Sequence, residues 1–313
     1  NALDTTVDTL TATAGSDLYV YETDALTIGS VSAFDVNRIN LNSTTTAINT
    51  AALAGVNATA GHAKIETING SLTVNDAVAA GLNVLLNAGT AASDVNLNAA
   101  VTTANGSVSV TAQDSVNQNA NGNLAVTAGA GTIFVRAVDG SITMLDGTSS
   151  VTANGNVRYH AAQNVTVGLI NAGTGSVGIE ATAGDILDAG ADTVGVGVNG
   201  FATQTGAARS VNVIANNLIL RAGDDIGTAG NALDTTVDTL TATAASDLYV
   251  LESDAITIGT VNAFDVNRVN LDSSTTAINT PLQAGITATA GHAKIETING
   301  SLTVDNAVAA GLN

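Results

Sequence analysis

A short motif recurs along the chain: a glycine, a small polar residue, and then two apolar residues separated by one position. It occurs at 70–74, 106–110, 122–126, 140–144, 155–159, 175–179 and 300–304. A turn followed by period-two alternation predicts a short β-strand with its apolar residues facing a core. The inward positions predicted in this way are Leu72, Val74, Val108, Val110, Leu124, Val126, Ile142, Val177 and Ile179.

Successive motifs after Gly70 begin 36, 16, 18, 15 and 20 residues apart, and the longest interval fits two turns. This recurrence predicts an all-β fold, a right-handed parallel β-helix that forms an elongated rod. At about 19 residues per coil, a 230-residue stretch is roughly 12 coils, or ~58 Å at the strand spacing. A string of immunoglobulin-like sandwiches is the alternative, but such domains use a buried aromatic core. One proline and no tryptophan argue against it.

Residues 1–83 return as residues 231–313 with 67 identities, at an offset of 230. The sequence therefore predicts one full tandem unit at 1–230 and the start of the next at 231–313, continuous with the first. The copies differ conservatively at apolar positions, as in Leu26→Ile256 and Val56→Ile286. We expect such units to stack coaxially, with a translation of roughly 50–65 Å between copies.

Charge and composition exclude several classes of function. The 8 basic and 27 acidic residues give a net charge of −19, and no basic stripe is present to bind nucleic acid. No apolar run approaches the ~20 residues of a membrane span, so we expect no membrane insertion of this segment. The absence of cysteine excludes disulfides and thiolate metal sites.

Two segments, Asn-Leu-Ala-Val-Thr-Ala-Gly-Ala-Gly from Asn123 and Gly-Asp-Ile-Leu-Asp-Ala-Gly from Gly184, carry a resemblance to a known family. The chain resembles the repeats of filamentous-haemagglutinin-like giant bacterial surface adhesins. The resemblance implies an exported parallel β-helix at the bacterial cell surface, and it transfers no catalytic residue.

Acidic residues near turns are the candidate calcium ligands, because carboxylates can collect a hard cation. They are Asp185, Asp188, Asp192, Asp224 and Asp225. Neither an EF-hand nor a serial Gly-Gly-x-Gly-x-Asp repeat is present, so we interpret them as turn residues on a solvated face. We expect no metal and no cofactor to be required for folding.

Strand alternation places Tyr19, Tyr21 and Tyr249 outward, where aromatic rings can stack on sugars or dock another fibre. The same alternation puts His62, Lys64 and Glu66 on an outward polar row. Two patches could serve a β-helix polysaccharide lyase or hydrolase: Arg158 with Tyr159 and His160, and Arg136 with Asp139. For neither patch does the sequence place a second catalytic residue at a spacing that would indicate an active site.

The sequence therefore predicts a non-enzymatic structural shaft of an extracellular bacterial fibre or large adhesin, whose partners are neighbouring repeat units. One alternative is a module that binds host or cell-surface glycans through outward tyrosines. Another is a β-helix polysaccharide lyase or hydrolase.

Overall fold

The computed structural model of the protein describes residues 2–190, 194–196, 202–204 and 210–312. More than half of the chain is β-strand, and the described residues contain no helix, so none of them forms a helix able to cross a membrane. In chain order the strands are β1 (Leu3–Thr5), β2 (Thr9–Leu10), β3 (Ala12–Ala14), β4 (Leu18–Glu22), β5 (Leu26–Ile28), β6 (Ser30–Val31), β7 (Phe34–Ile39), β8 (Thr45–Thr50), β9 (Leu53–Ala54), β10 (Val56–Ala58), β11 (Ala63–Thr67), β12 (Leu72–Val74), β13 (Val78–Ala80), β14 (Val84–Ala88), β15 (Val95–Leu97), β16 (Val101–Thr103), β17 (Val108–Ala112), β18 (Val116–Gln118), β19 (Leu124–Val126), β20 (Ile133–Ala137) and β21 (Ile142–Met144). The remaining strands are β22 (Ser149–Val151), β23 (Val157–Ala161), β24 (Val165–Val167), β25 (Leu169–Asn171), β26 (Ser176–Ala181), β27 (Ile186–Asp188), β28 (Val194–Val196), β29 (Ala202–Gln204), β30 (Val213–Ala222), β31 (Leu233–Ala244), β32 (Leu248–Glu252), β33 (Ile256–Ile258), β34 (Thr260–Val261), β35 (Phe264–Val269), β36 (Thr275–Thr280), β37 (Gln283–Ala284), β38 (Ile286–Ala288), β39 (Ala293–Thr297), β40 (Leu302–Val304) and β41 (Val308–Ala310).

The strands wind into a parallel β-helix with three faces. Face A stacks the five- and six-residue strands β4, β11, β14, β17, β20, β23 and β26. Face B stacks β2, β5, β12, β15, β18, β21, β24 and β27. Face C stacks β3, β10, β13, β16, β19, β22 and β25. The fold predicted from the motif is confirmed, and the right-handed sense of the coil stays a prediction.

The core is a narrow column of branched apolar side chains inside the coil. All nine residues predicted to face inward are buried, with at most 2% of each exposed. Face B strands alternate buried, half-buried, buried, which is the pattern of a sheet with one face in the core. The register inferred from the alternation is therefore correct.

The coils are longer and fewer than the motif spacing predicts. Paired residues on face A from Ala63 to Val177 lie 21, 24, 25, 24 and 20 residues apart. A hairpin also leaves the coil between β5 and β10. The expected 12 coils are therefore wrong: the pairing carries Leu18 to Leu248 in about eight and a half coils, or ~40 Å at the strand spacing.

The second copy stacks directly on the first. Strand β30 continues faces C and A and pairs along its length with β31, the first strand of the second copy. Residues 239–244 of β31 continue face A and pair with β33 and β38. In the first copy the counterparts of these two strands, β5 and β10, lie on faces B and C. The other end of β31 carries β32, the counterpart of β4 on face A. The copies thus share one coil, and equivalent residues lie on exchanged faces.

Candidate functional site: the covered row on face A

One outward row of face A is hidden from solvent. One residue of each successive strand is paired in register with its neighbours from coil to coil, and this row consists of Tyr19, Lys64, Leu85, Ser109, Phe134, Arg158, Gly178 and Ile219. These side chains point away from the core, yet Leu85, Phe134 and Ile219 are almost completely buried. We call this set the covered row.

The cover is a β-hairpin from the second copy. Strands β35 and β36 pair antiparallel to form hairpin 264–280, which leaves the coil between β33 and β38. The hairpin lies along face A of the first unit, so that Val266 and Val269 are buried against it. A β-carbon on Gly178 would lie 3.0 Å from Thr280 Cγ2 and 3.3 Å from Phe264 Cζ. The hairpin therefore packs tightly on the row.

Polar contacts hold the hairpin in register, and most of them use its backbone. The amide of Asn267 donates to Thr132 Oγ1 at 2.7 Å, and the amide of Val269 donates to Ser109 Oγ at 2.8 Å. Asn156 Nδ2 donates to the Asp265 carbonyl at 3.0 Å. These bonds satisfy backbone groups of the hairpin that would otherwise be buried without partners.

Two cations of the row also bind hairpin carbonyls. Lys64 donates to the Leu271 carbonyl and Arg158 donates to the Asn279 carbonyl. Arg158 also pairs with Glu180 at 3.1 Å. Burial lowers the pKa of the Lys64 ammonium, while Asp272 and Asp17 oppose the shift. The prediction of a solvent-facing polar row is therefore wrong for Lys64, which points outward but is covered.

The tip of the hairpin meets the first tyrosine of the row. The Lys64 ammonium lies 3.8 Å from the centre of the Tyr19 ring, a cation–π contact. The Tyr19 hydroxyl is 2.6 Å from Ser273 Oγ. Burial raises the pKa of Tyr19, with the Ser273 hydrogen bond opposing it. A cleft of about 360 Å³ opens here, lined by Ala2, Tyr19, Val20, Tyr21, Lys64, Glu66, Leu271, Asp272 and Ser273.

The three tyrosines proposed as contact residues have different environments. Tyr19 is engaged by the hairpin tip, whereas Tyr21 on the neighbouring outward row is 36% exposed. Tyr249, the counterpart of Tyr19, is half-buried and its hydroxyl donates to Asp247 Oδ2 at 3.4 Å. Tyr21 is therefore the most exposed of the three tyrosines.

The structure brings together three of the five candidate calcium ligands. Carboxylate oxygens of Asp185, Asp224 and Asp225 lie within 4.8 Å of one another at the corner between faces A and B. The charge of Asp225 raises the pKa of Asp224, with burial, Asp185 and Asp247 adding to the shift. Asp188 is buried elsewhere and accepts bonds from Asn212 Nδ2 at 2.6 Å and the Gly190 amide at 2.8 Å. Asp192 lies outside the described residues.

The corner position explains this acidic cluster structurally. At each level, a side-chain oxygen accepts a hydrogen bond from the backbone amide one coil further on, at 2.7–3.3 Å. The acceptors in order are Ser71, Asp94, Ser115, Ser141, Asn164, Asp185, Asp225 and Asp247, and the last bond comes from His292. We call this the corner ladder. Asp185 and Asp225 are members of it, so the fold gives both carboxylates a role without a metal.

The structure divides the first patch considered for catalysis between the core and the outer side of face A. Tyr159 points into the core, where its hydroxyl donates to Gln118 Oε1 at 2.5 Å, while Arg158 lies under the hairpin. His160 points outward from face A, with its Nε2 atom 3.3 Å from Thr182 Oγ1, and burial lowers its pKa. In the second patch, Asp139 accepts a bond from Gln113 Nε2 at 2.7 Å.

The covered row was not found from the sequence, although it leaves a signal. Strands β14, β20 and β30 contain three consecutive apolar residues at 84–86, 133–135 and 218–220. A strand buried on one side has a polar residue at its central outward position, so an apolar one indicates burial on both sides. The signal required the coil register to be known first.

Comparison with known proteins gives no match: no family model matches the chain, and no curated protein or solved structure is similar to it.

Proposed function

We propose that the protein is a non-enzymatic structural segment, the shaft of an extracellular bacterial fibre or large adhesin. One observation carries the proposal: the strand ladder runs from the first unit into the second without a break, through the pairing of β30 with β31. A coil that continues through a repeat boundary can be extended by further units, as in other solenoids whose repeats contact only their neighbours.

The mechanism of such a shaft is mechanical. Parallel ladders between coils supply the backbone hydrogen bonds, and the apolar column keeps adjacent coils in register. The corner ladder adds a side-chain bond at successive levels. The net charge of −19 keeps neighbouring rods apart in solution.

The length of longer arrays tests this function. Proteins with one, two and three added copies of residues 1–230 are measured by small-angle X-ray scattering and negative-stain electron microscopy. Each added unit lengthens the rod by a constant ~40 Å, from about eight and a half coils. Separate beads, or a maximum dimension that does not grow linearly, would contradict the shaft.

Immunogold labelling of source cells with antibodies to residues 84–188 then tests whether the segment lies on surface appendages.

A second candidate function, binding of host or cell-surface glycans, rests on the cleft at the hairpin tip. Its walls combine the partly exposed Tyr21 with Lys64, Glu66 and Asp272, which are groups that stack on and hydrogen-bond to sugars. A glycan array probed with the protein and with Tyr21→Ala tests it. Binding that disappears with Tyr21→Ala supports the glycan function, and an array without hits opposes it.

A further inference from the structure

The chain contains two hairpins of nearly the same sequence. Strands β7 and β8 form hairpin 34–50 with the same register as hairpin 264–280, so that Val36 opposes Ile48 as Val266 opposes Ile278. Their internal side-chain bonds also match. Asn49 Nδ2 donates to Asp35 at 2.9 Å, and Asn279 Nδ2 donates to Asp265 at 2.8 Å. The two hairpins therefore have the same internal structure.

The two hairpins differ in what covers them. Val266 and Val269 are buried on the covered row, whereas their counterparts Val36 and Ile39 are 52% and 78% exposed. Phe34 and Ile48 are exposed as well. A two-stranded hairpin is marginally stable alone in water, and a contiguous exposed apolar patch marks an interaction surface. Hairpin 34–50 therefore exposes apolar residues of the kind that its twin buries.

The point at which each hairpin leaves its copy indicates which surface would bury these apolar residues. Hairpin 264–280 leaves the second copy and lies on the unit before it, residues 1–230. Hairpin 34–50 leaves the first copy at the equivalent point, between β5 and β10. The covered row of this chain is already filled by hairpin 264–280. Hairpin 34–50 would therefore need the equivalent row of another copy of the 230-residue unit.

We propose that hairpin 34–50 is a clasp that docks on the covered row of a preceding copy of the unit, so that each unit in an array grips the one before it. The inference rests on the tandem stacking in the proposed function and adds a second connection between units, outside the coil.

The chemistry of the seated hairpin supports the same docking for its twin. Among the described residues, hairpin 264–280 makes eight hydrogen bonds to the first unit, and seven of them use hairpin backbone atoms, which do not depend on side-chain identity. Phe34 and Val36 are identical to their counterparts Phe264 and Val266, and Ile39 is a larger branched residue in place of Val269. Ser43 keeps the hydroxyl with which Ser273 meets Tyr19. Two changes affect the edges: Asn42 replaces Asp272 near Lys64, and Leu53 replaces Gln283.

Engineered disulfides test the clasp, since the chain has no cysteine of its own. Gly178 and Thr280 are the reference pair, because a β-carbon on Gly178 would lie 3.0–3.2 Å from the Thr280 side chain. That approach suits the Cβ–Cβ separation of a disulfide, roughly 3.5–4.5 Å. The protein with Gly178→Cys and Thr280→Cys is expected to lose both free thiols under mild oxidation.

The decisive chain carries a copy of residues 1–230 joined ahead of Asn1. It has Gly178→Cys in the added unit and Thr50→Cys in the original hairpin, since Thr50 is the counterpart of Thr280. Loss of both thiols to the same extent as in the reference pair supports the clasp. The control replaces Gly178→Cys with Thr143→Cys on face B of the added unit, and its thiols are expected to stay free.

Hydrogen exchange on the extended chain without cysteines gives a second measurement. Val36→Asp in the added unit serves as a mass label, so that the two copies of hairpin 34–50 can be told apart. The original hairpin is expected to gain the protection of hairpin 264–280, while the added one stays unprotected. If the rod lengthens but the original hairpin stays unprotected and its thiol free, the clasp is wrong and the shaft stands. If the rod does not lengthen, the stacking itself is wrong.

Discussion

Val36 and Val266 occupy the same position in two nearly identical hairpins, yet Val36 is half exposed and Val266 is completely buried. The difference comes from the unit that lies beneath Val266, because the internal pairing of both hairpins is the same. A repeat unit of this protein is therefore incomplete by itself: part of its apolar surface is buried only by a neighbour.

This pair of valines gives a matched test of the covered row. Val266→Asp places a carboxylate against an apolar surface, which we expect to cost about 3 kcal/mol and to reduce hydrogen-exchange protection of hairpin 264–280 roughly a hundredfold. Val36→Asp changes an exposed position and is expected to stay within about 0.5 kcal/mol of the parent protein. Equal effects of the two substitutions would show that the hairpin is not seated on face A.

The sequence was sufficient for the local structure of the coil. Alternation identified Leu72, Val108 and Ile179 as inward residues, because the side-chain period of a strand is two wherever one face is buried. Short polar residues mark the corners of the coil, where their side chains accept hydrogen bonds from the backbone of the next coil.

The coil length could not be read from the motif, because the motif marks more than one corner. Gly106 and Gly155 precede strands of face A, whereas Gly140 precedes face B and Gly122 precedes face C. Distances between neighbouring motifs are therefore fractions of a coil. The covered row depends on contacts between residues more than one hundred positions apart, such as Asn267 with Thr132, and no local pattern encodes those.

Tyr159 is the largest completely buried side chain of the core, and its hydroxyl gives a second test. The hydroxyl lies 2.5 Å from Gln118 Oε1 and 2.6 Å from Ser150 Oγ, and burial raises the pKa of Tyr159 so that it stays protonated. Tyr159→Phe leaves buried polar atoms without this partner, at an expected cost of about 1–3 kcal/mol in urea unfolding. Tyr21→Phe at the surface is the control and is expected to be close to neutral. A neutral Tyr159→Phe would place the ring outside the core.

Glu22 and Glu252 give a test by titration, since they are equivalent residues in the two copies. Burial opposes the charged form of Glu22, but bonds from Thr5 and neighbouring amides outweigh it and lower its pKa. The stability that Glu22 contributes is present above its unfolded pKa and is lost as the pH falls through the folded pKa.

Glu252 keeps the same kind of hydrogen bonds, but here burial outweighs them and raises its pKa. Its contribution is greatest below the unfolded pKa and is lost as the pH rises through the folded pKa. NMR of carbonyl-labelled glutamate, assigned with Glu22→Gln and Glu252→Gln, should show Glu22 titrating below its ordinary value and Glu252 above it. Identical titration of the two residues would contradict the difference between their surroundings.

The acidic corner gives the last test, because a ladder residue and a calcium ligand respond differently to substitution. Asp225 Oδ1 accepts the Asp247 amide at 2.7 Å. Asp225→Asn keeps an acceptor oxygen and removes the charge that raises the pKa of Asp224. We expect this variant to be at least as stable as the parent in urea unfolding. Asp225→Ala leaves the Asp247 amide without its acceptor and is expected to cost about 1 kcal/mol.

A calcium site would make the stability of the parent protein, but not that of Asp225→Asn, depend on calcium. A bound ion stabilises a folded protein by mass action, so millimolar calcium would raise the unfolding midpoint of the parent and lose that effect in Asp225→Asn. We expect no such rise, and we expect EDTA to leave the far-UV circular dichroism of the β-structure unchanged. Calcium-dependent stabilisation that Asp225→Asn abolishes would mean that Asp185, Asp224 and Asp225 act as ligands in addition to holding the corner of the coil.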